Sequence, residues 1–236
     1  MTMQSFFRVR HSRVCSLAPA AALIVAAVAG ACSDSTGSSG VPATVQIVSG
    51  DSQSVIVGSA LAQPLVVIVR DSNDKVVAGV AVTFLSSDSG TFTATAVTTD
   101  SVGQATTTFT AGKRAVPIVV SASVTGIASA TFEITATPAS PADVAKVSGD
   151  GQSGPDGASL SAPFIVQVLD GFGNPIVGVS VTWSSSGGTF VSTDAVTDAN
   201  GEAKAVLTLG SSSGQETVTA HVAGVTTDAT FTATAQ

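Results

Sequence analysis

The sequence has no tyrosine, one tryptophan and two histidines, and charged residues make up only 11% of its 236 positions. Its two cysteines, Cys15 and Cys32, both fall in the first 32 residues. From Ser33 onward a disulfide or a thiolate metal site is therefore excluded. That stretch holds one histidine, His221, so general acid–base and nucleophilic chemistry lack their usual pairs and no catalytic residue is assigned. The shortage of aromatic rings counts against a row of sugar-stacking side chains. Leu, Glu, Lys and Arg, the good helix formers, are also sparse. What is there instead is Ala, Val, Thr, Ser and Gly, with hydrophobic residues at 44%. β-branched side chains fit a half-buried pleated surface, so the composition points to strands. Apolar residues are spread along the chain rather than depleted, which excludes disorder.

The first 31 residues read as an export signal. Arg8, Arg10 and Arg13 form a basic start, and no acidic residue precedes Asp34. The uncharged stretch at residues 16–31 is shorter than the roughly 20 apolar residues that span a bilayer. It ends in Val28, Ala29, Gly30, Ala31 and Cys32, which resembles the lipobox of bacterial lipoproteins. That resemblance implies a lipidated Cys32 at the new N-terminus, holding the protein to a membrane. Ala29 stands where the lipobox has Leu, Val or Ile, and Ala29-Gly30-Ala31 also fits simple secretion. Ser33 in place of Asp leans toward an outer membrane or cell surface, with a secreted or periplasmic protein as the alternative. Residues 32–41 form a flexible tether, with a root-mean-square length of about 15 Å. Without the first 31 residues the chain has six basic against sixteen acidic residues, net −10, which excludes nucleic acid as a partner.

Beyond the tether the chain repeats itself. SGDSQ at Ser49 returns as SGDGQ at Ser148, Asp71 as Asp170, and GVAVTF (79–84) as GVSVTW (178–183), all displaced by 99 residues. The displacement becomes 98 from Gly90/Gly188 to Gly126/Gly224 and returns to 99 at Phe132/Phe231. Such a period suits one small domain rather than a solenoid unit. Alternation marks the strands: Val45 and Ile47; Leu65, Val67 and Val69; Val80, Val82 and Phe84; Val120, Ala122 and Val124; Phe132 and Ile134. Asp/Asn/Gly turns at residues 71–75, 100–103, 170–175 and 198–201 punctuate them. The fold expected is all-β: two tandem antiparallel Greek-key sandwiches of about seven strands, at residues 42–137 and 142–236. A proline-containing linker, 138–141, joins them. Val82, Phe84, Val181 and Trp183 are expected in the cores. His221 is expected to face outward beside Thr219. Asp71, Asn73 and Asp74, with Asp170 and Asn174, offer oxygens that calcium could use, but the same residues suit the turns by themselves and the spacing of a dedicated calcium loop is absent. No cofactor is expected.

The run Leu-Val-Val-x-Val-x-Asp, then Gly-Val-x-Val-Thr-Phe/Trp, Gly-Thr-Phe and Thr-Asp-x-x-Gly-x-Ala, resembles bacterial immunoglobulin-like domains of the invasin/intimin type across residues 43–236. The resemblance implies Ig-like folds and a stalk, spacer or adhesion role without enzymatic activity. The barrel anchor and lectin-like tip of the large adhesins are not recognisable in these letters. A protein or glycan ligand is expected at loops on the far end of the second repeat, residues 170–175, 200–201 and 210–214. A carbohydrate-binding or accessory subunit of a cell-surface complex is the alternative.

Overall fold

The computed structural model describes residues 40–236, so the expected export signal, Cys32 and most of the expected tether lie outside the described residues. All regular structure among the described residues is β-strand. The first repeat contains β1 (Pro42–Ser49), β2 (Gln53–Ile56), β3 (Leu65–Asp71), β4 (Ala81–Ser86), β5 (Thr91–Phe92), β6 (Ala96–Thr98), β7 (Gln104–Thr107), β8 (Phe109–Thr110), β9 (Pro117–Ser123) and β10 (Ala130–Thr137). The second contains β11 (Pro141–Ser148), β12 (Gln152–Gly154), β13 (Phe164–Asp170), β14 (Thr182–Ser185), β15 (Thr189–Thr193), β16 (Glu202–Thr208), β17 (Gly214–His221) and β18 (Ala229–Ala235). Interruptions divide what the sequence shows as single runs, which raises the number of segments above the expected seven.

Each repeat is a two-sheet sandwich. In the first, β1-β3-β7 faces β2-β10-β9-β4-β6, with β5-β8 as a short extra ladder; in the second, β11-β13-β16-β15 faces β12-β18-β17-β14. The ladders are antiparallel except that β2 runs parallel to β10 and β12 runs parallel to β18. The exception arises because the chain crosses from one sheet to the other after β1 and after β11 without reversing direction.

The repeated SGD-x-Q motif makes that crossing. Gly50 and Gly149 take φ of 95° and 96°. A Cβ there would sit 2.3 Å from the Pro64 carbonyl oxygen and 2.4 Å from that of Pro163, so only glycine fits. The Gln53 and Gln152 amides donate to the carbonyls of Gly50 and Gly149 at 2.7 and 2.8 Å. Asp51 and Asp150 accept the N–H groups of Glu133 and Thr232, each at 2.8 Å, tying the crossing to the last strand of its own sandwich.

Inward alternation fills two separate cores. Leu65, Val67, Val69, Val82, Phe84, Phe109 and Phe132 are buried in the first; Phe164, Val166, Val168, Leu207, Val218 and Phe231 are buried in the second. Tilted rings chain Phe84 to Phe92 and Phe92 to Phe109, with centroids 6.2 and 4.9 Å apart. Val82, Phe84 and Val181 lie in the cores as their alternation indicates. Trp183 is only half-buried: it stacks on Phe231 at 6.3 Å while its indole N–H donates to the Asp194 carbonyl. An indole N–H needs a hydrogen-bond partner, and that bond holds the polar edge of the ring at the rim. Truncation of the fully buried Phe84 to alanine should cost about 3–5 kcal/mol, the usual range for such a cavity. Urea unfolding followed by NMR should show that loss in first-repeat resonances, while the Phe164 and Phe231 resonances keep their midpoint.

Candidate functional site

The residue types that suggested calcium form turns instead. At each of four positions one aspartate carboxylate folds back on the next four residues. Asp71 Oδ1 accepts the N–H groups of Asn73 and Lys75 at 2.8 and 2.9 Å. Asp100 does the same for Val102 and Gln104, and Asp198 for Asn200 and Glu202. The left-handed position of the Asp71 turn is taken by Asp74, at φ 63°, and that of the Asp170 turn by Gly173. Backbone hydrogen bonds, with that from Lys75 the largest, hold Asp71 below its ordinary pKa, and those from Glu202 and Asn200 do the same for Asp198.

Asp170 goes further. It is 3% exposed, and its Oδ1 accepts Phe172 N–H at 2.9 Å and Asn174 N–H at 2.8 Å. Oδ2 accepts the N–H of Ala139, in the linker between the sandwiches, at 3.0 Å. The Asn174 amide donates to both oxygens, at 3.1 and 2.9 Å. Burial by itself pushes the Asp170 carboxyl up, but the bonds from the Asn174 side chain and from the Ala139, Asn174 and Phe172 N–H groups outweigh it and leave the pKa below its ordinary value.

Asn174 then reaches across the junction. Its Oδ1 accepts Ala115 N–H at 2.9 Å, and its Nδ2 donates to the Lys113 carbonyl at 2.8 Å, both on the loop between β8 and β9. Phe172 lies beside the same loop, with Lys113 Nζ 5.7 Å from its ring centroid. A Cβ on Gly58 would meet that ring at 3.5 Å. One loop of the second sandwich thus joins the linker and the end of the first through a carboxylate, an amide and a ring. With its oxygens engaged by N–H donors, the loop acts as a latch. Among the described residues no group of three or more His, Cys, Asp or Glu gathers to hold a metal. Asp71 and Asn73 sit on the equivalent loop of the other sandwich and do not join Asp170 and Asn174.

This placement corrects the expected ligand loops. Residues 170–175 are at the junction, not at the free end. Residues 200–201 share that end, since Gly201 O accepts Val168 N–H and Asn200 O accepts the Gln167 amide. Only residues 210–214, after β16 has run the length of the sandwich, lie at the opposite end. Alternation identifies loops, but which end a loop occupies follows from the direction of its strand relative to the linker.

His221 faces outward, as its strand parity requires, and its Nδ1 lies 2.7 Å from Asp228 Oδ1 across the β17–β18 hairpin. Glu216 was not anticipated. It is 6% exposed; Oε1 accepts the Gly210 N–H at 2.6 Å, while Oε2 is buried without a hydrogen-bond partner. The only signal for it in the sequence was its mismatch with Ile118, the equivalent position of the first repeat. Asp88 Oδ2 is likewise buried and unpartnered, and its Oδ1 is 3.5 Å from Arg114 on the loop that receives Asn174.

The family model described as bacterial Ig-like domain (group 1) matches residues 48–137 and 154–235. No curated protein matches the chain. Among solved structures, InvD of Yersinia pseudotuberculosis is 21% identical with a TM-score of 0.60, over 81% of this chain and 57% of that one. That likeness shows the fold, and this chain spans a little over half the length of that structure. The D0–D1 domains of intimin are 20% identical over 82% of this chain and 98% of theirs, with a TM-score of 0.33. Invasin, a bacterial integrin-binding protein, is 24% identical over 82% of this chain and 39% of its own, with a TM-score of 0.39.

Two outcomes test the latch. Asn174→Ala leaves the Ala115 N–H and the Lys113 carbonyl without their partner. It should cost about 1–3 kcal/mol, and residual dipolar couplings should then report two independently tumbling sandwiches where the parent gives one alignment tensor. Because the Asp170 pKa is depressed by folding, its contribution is present above the unfolded carboxylate value of about 3.9 and lost as pH falls through the folded value. Melting temperature should hold from pH 7 to about 5 and drop below about 4. Asp170→Asn should start lower and lose part of that slope. The remainder includes Asp150, which hydrogen bonds from Lys146 and Thr232 hold at about 2.

Proposed function

The chain belongs to the bacterial Ig-like domain (group 1) family, and from that premise we propose that it is a non-enzymatic spacer and protein-interaction module held outside the cytoplasm. Lipidation at Cys32 fixes it to the bacterial outer membrane or cell surface. Residues 1–31 are removed on export, residues 32–41 serve as the tether, and two Ig-like sandwiches, 42–137 and 142–236, project from it through the 138–141 linker. Adhesion is the setting in which such a module works.

The observation that carries the spacer reading is the latch at Asp170 and Asn174. A spacer must resist bending at its joint, and this joint has its linker N–H, its receiving loop and its buried carboxylate bonded together. The longest strands have eight residues, which at about 3.3 Å per residue gives each sandwich strands of up to roughly 26 Å before its loops are added. Support for a non-enzymatic role comes from the family and from the pairing of His221 with Asp228 alone at an exposed strand end. For the alternative, a carbohydrate-binding accessory subunit, the exposed ring available is Phe172, and it lies against the first sandwich.

Mass spectrometry of the protein extracted from the membrane fraction tests the anchor. A diacylglyceryl-modified Cys32 at the N-terminus is expected, and Cys32→Ser should move the protein to the soluble fraction. An unmodified N-terminus recovered free of membrane would overturn the anchored reading.

A further inference from the structure

The end of the first sandwich that receives the Asp170 turn has a counterpart at the far end of the second. Displaced by 99 or 98 residues, Gly58 becomes Gly157, and the loop Gly112–Ala115 becomes Gly210–Ser213 without insertion or deletion. The backbone is the same in both. Gly58 and Gly157 take φ of 75° and 73°. Their N–H groups donate to the Gly112 and Gly210 carbonyls at 2.9 and 2.8 Å. Just before those glycines, the Ala111 and Leu209 N–H groups donate to the Ser59 and Ala158 carbonyls, each at 2.9 Å.

A carboxylate underlies each loop, supplied from a different place. In the first sandwich it is Asp88, 3.5 Å from Arg114. In the second, Asp88 is replaced by Gly187 and Ile118 by Glu216. A Cβ on Gly187 would stand 2.9 Å from Glu216 Oε1, so a side chain there, as Asp88 is in the first repeat, would run into the Glu216 carboxylate. Glu216 in turn accepts the Gly210 N–H at 2.6 Å and fixes the loop. Two compensating changes thus keep the support of the loop while its residues differ.

What the two ends do not share is their cover. The Phe172 ring lies over Gly58, where a Cβ would meet it at 3.5 Å, and Asn174 bonds the Ala115 N–H and the Lys113 carbonyl. A Cβ on Gly157 would meet nothing within 4 Å. The matching groups, Ser213 N–H and Ser211 carbonyl, are on exposed residues and have no partner among the described residues. Charge is reversed as well. Lys113 and Arg114 give way to Ser211 and Ser212, and buried Val57 to exposed Asp156, which accepts the Ser213 hydroxyl at 2.8 Å.

We propose that this end seats an Ig-like domain of another polypeptide, end to end, as the first sandwich seats the second. The incoming turn carries Asn in the place of Asn174, to bridge Ser211 and Ser213, and Lys or Arg in the place of Phe172, over Gly157 and beside Asp156. A basic side chain replaces the ring because the loop has lost the cation that lies over Phe172 and the face has gained a carboxylate. The proposal deepens the interaction-module reading and rests on it for the existence of a partner; it does not depend on the anchor.

The test uses the protein with Cys32→Ser, so that it stays unacylated, and has two arms. In the first, residues 138–236 are placed once more after Gln236, which stands 99 positions after Thr137 and so keeps the natural spacing. The added copy carries Phe172→Arg, and the covalent link raises the local concentration of its turn. Residual dipolar couplings should give one alignment tensor for the second and added sandwiches, with amide shifts at Gly157 and Ser211–Ser213. Asn174→Ala in the added copy should separate the two. In the second arm, a disulfide-cyclised hairpin containing Val-Leu-Asp-Gly-Arg-Gly-Asn-Pro-Ile is titrated into the ¹⁵N-labelled two-sandwich protein. Saturable shifts at the same residues are expected, and Asp156→Lys, a surface change, should weaken binding about fivefold or more. Independent tumbling of the added sandwich would overturn the proposal. Seating of the added sandwich without saturable shifts at millimolar hairpin overturns a partner on another polypeptide, and binding indifferent to Asp156→Lys overturns the basic residue. A freely tumbling added sandwich alongside a lipidated Cys32 leaves the anchored spacer standing, and a seated one with an unmodified Cys32 removes only the anchor.

Discussion

A single buried carboxylate sets the relation between the two sandwiches. Asp170 is removed from water, and a desolvated charge persists only where hydrogen bonds replace its hydration. Its oxygens accept from its own turn, from the linker at Ala139 and from the Asn174 amide, and the same amide grips the receiving loop of the first sandwich. Turn, linker and joint are therefore one network. Removing any member leaves the rest with unsatisfied groups in a poorly hydrated place, so the joint holds by the cost of leaving it as much as by the bonds within it.

Duplication supplied the turn and divergence made it a joint. The first repeat has the same aspartate at position 71, with Asn73 and Lys75 where the second has Phe172 and Asn174. Asp71 is half-buried, and among the described residues its carboxylate accepts from its own loop. Glu216 in place of Ile118 belongs with these changes, since a carboxylate with one unpartnered oxygen now lies under the far end of the second sandwich. The shared positions hold the fold, and the differences concentrate at the two ends of the second repeat.

What could be read in the sequence follows from which forces are local. Alternation of Leu65, Val67 and Val69, and of Val218, Ala220 and Val222, fixed which face each strand buries, because side chains on a strand point to opposite sides in turn. The repeated SGD-x-Q marked a special backbone position, since glycine is required where φ is positive and another main chain passes close by. Asp71, Asp100, Asp170 and Asp198 were legible as turns. What the turns do at Asp170 and Asn174 has a tertiary reason: N–H groups distant in sequence, at Ala139 and at Ala115 across the junction, bond their side-chain oxygens.

By itself, then, the sequence determined the all-β class, the two sandwiches, the buried faces and the turns, all of which depend on neighbours a few residues apart or on the 99-residue echo. Only the tertiary structure decided which end each loop occupies, that Asn174 reaches Lys113 and Ala115 some 60 positions away, and that Trp183 stops at the rim. These depend on strand direction and on which surfaces meet, and a pattern of alternating residues has the same letters whichever way its strand runs.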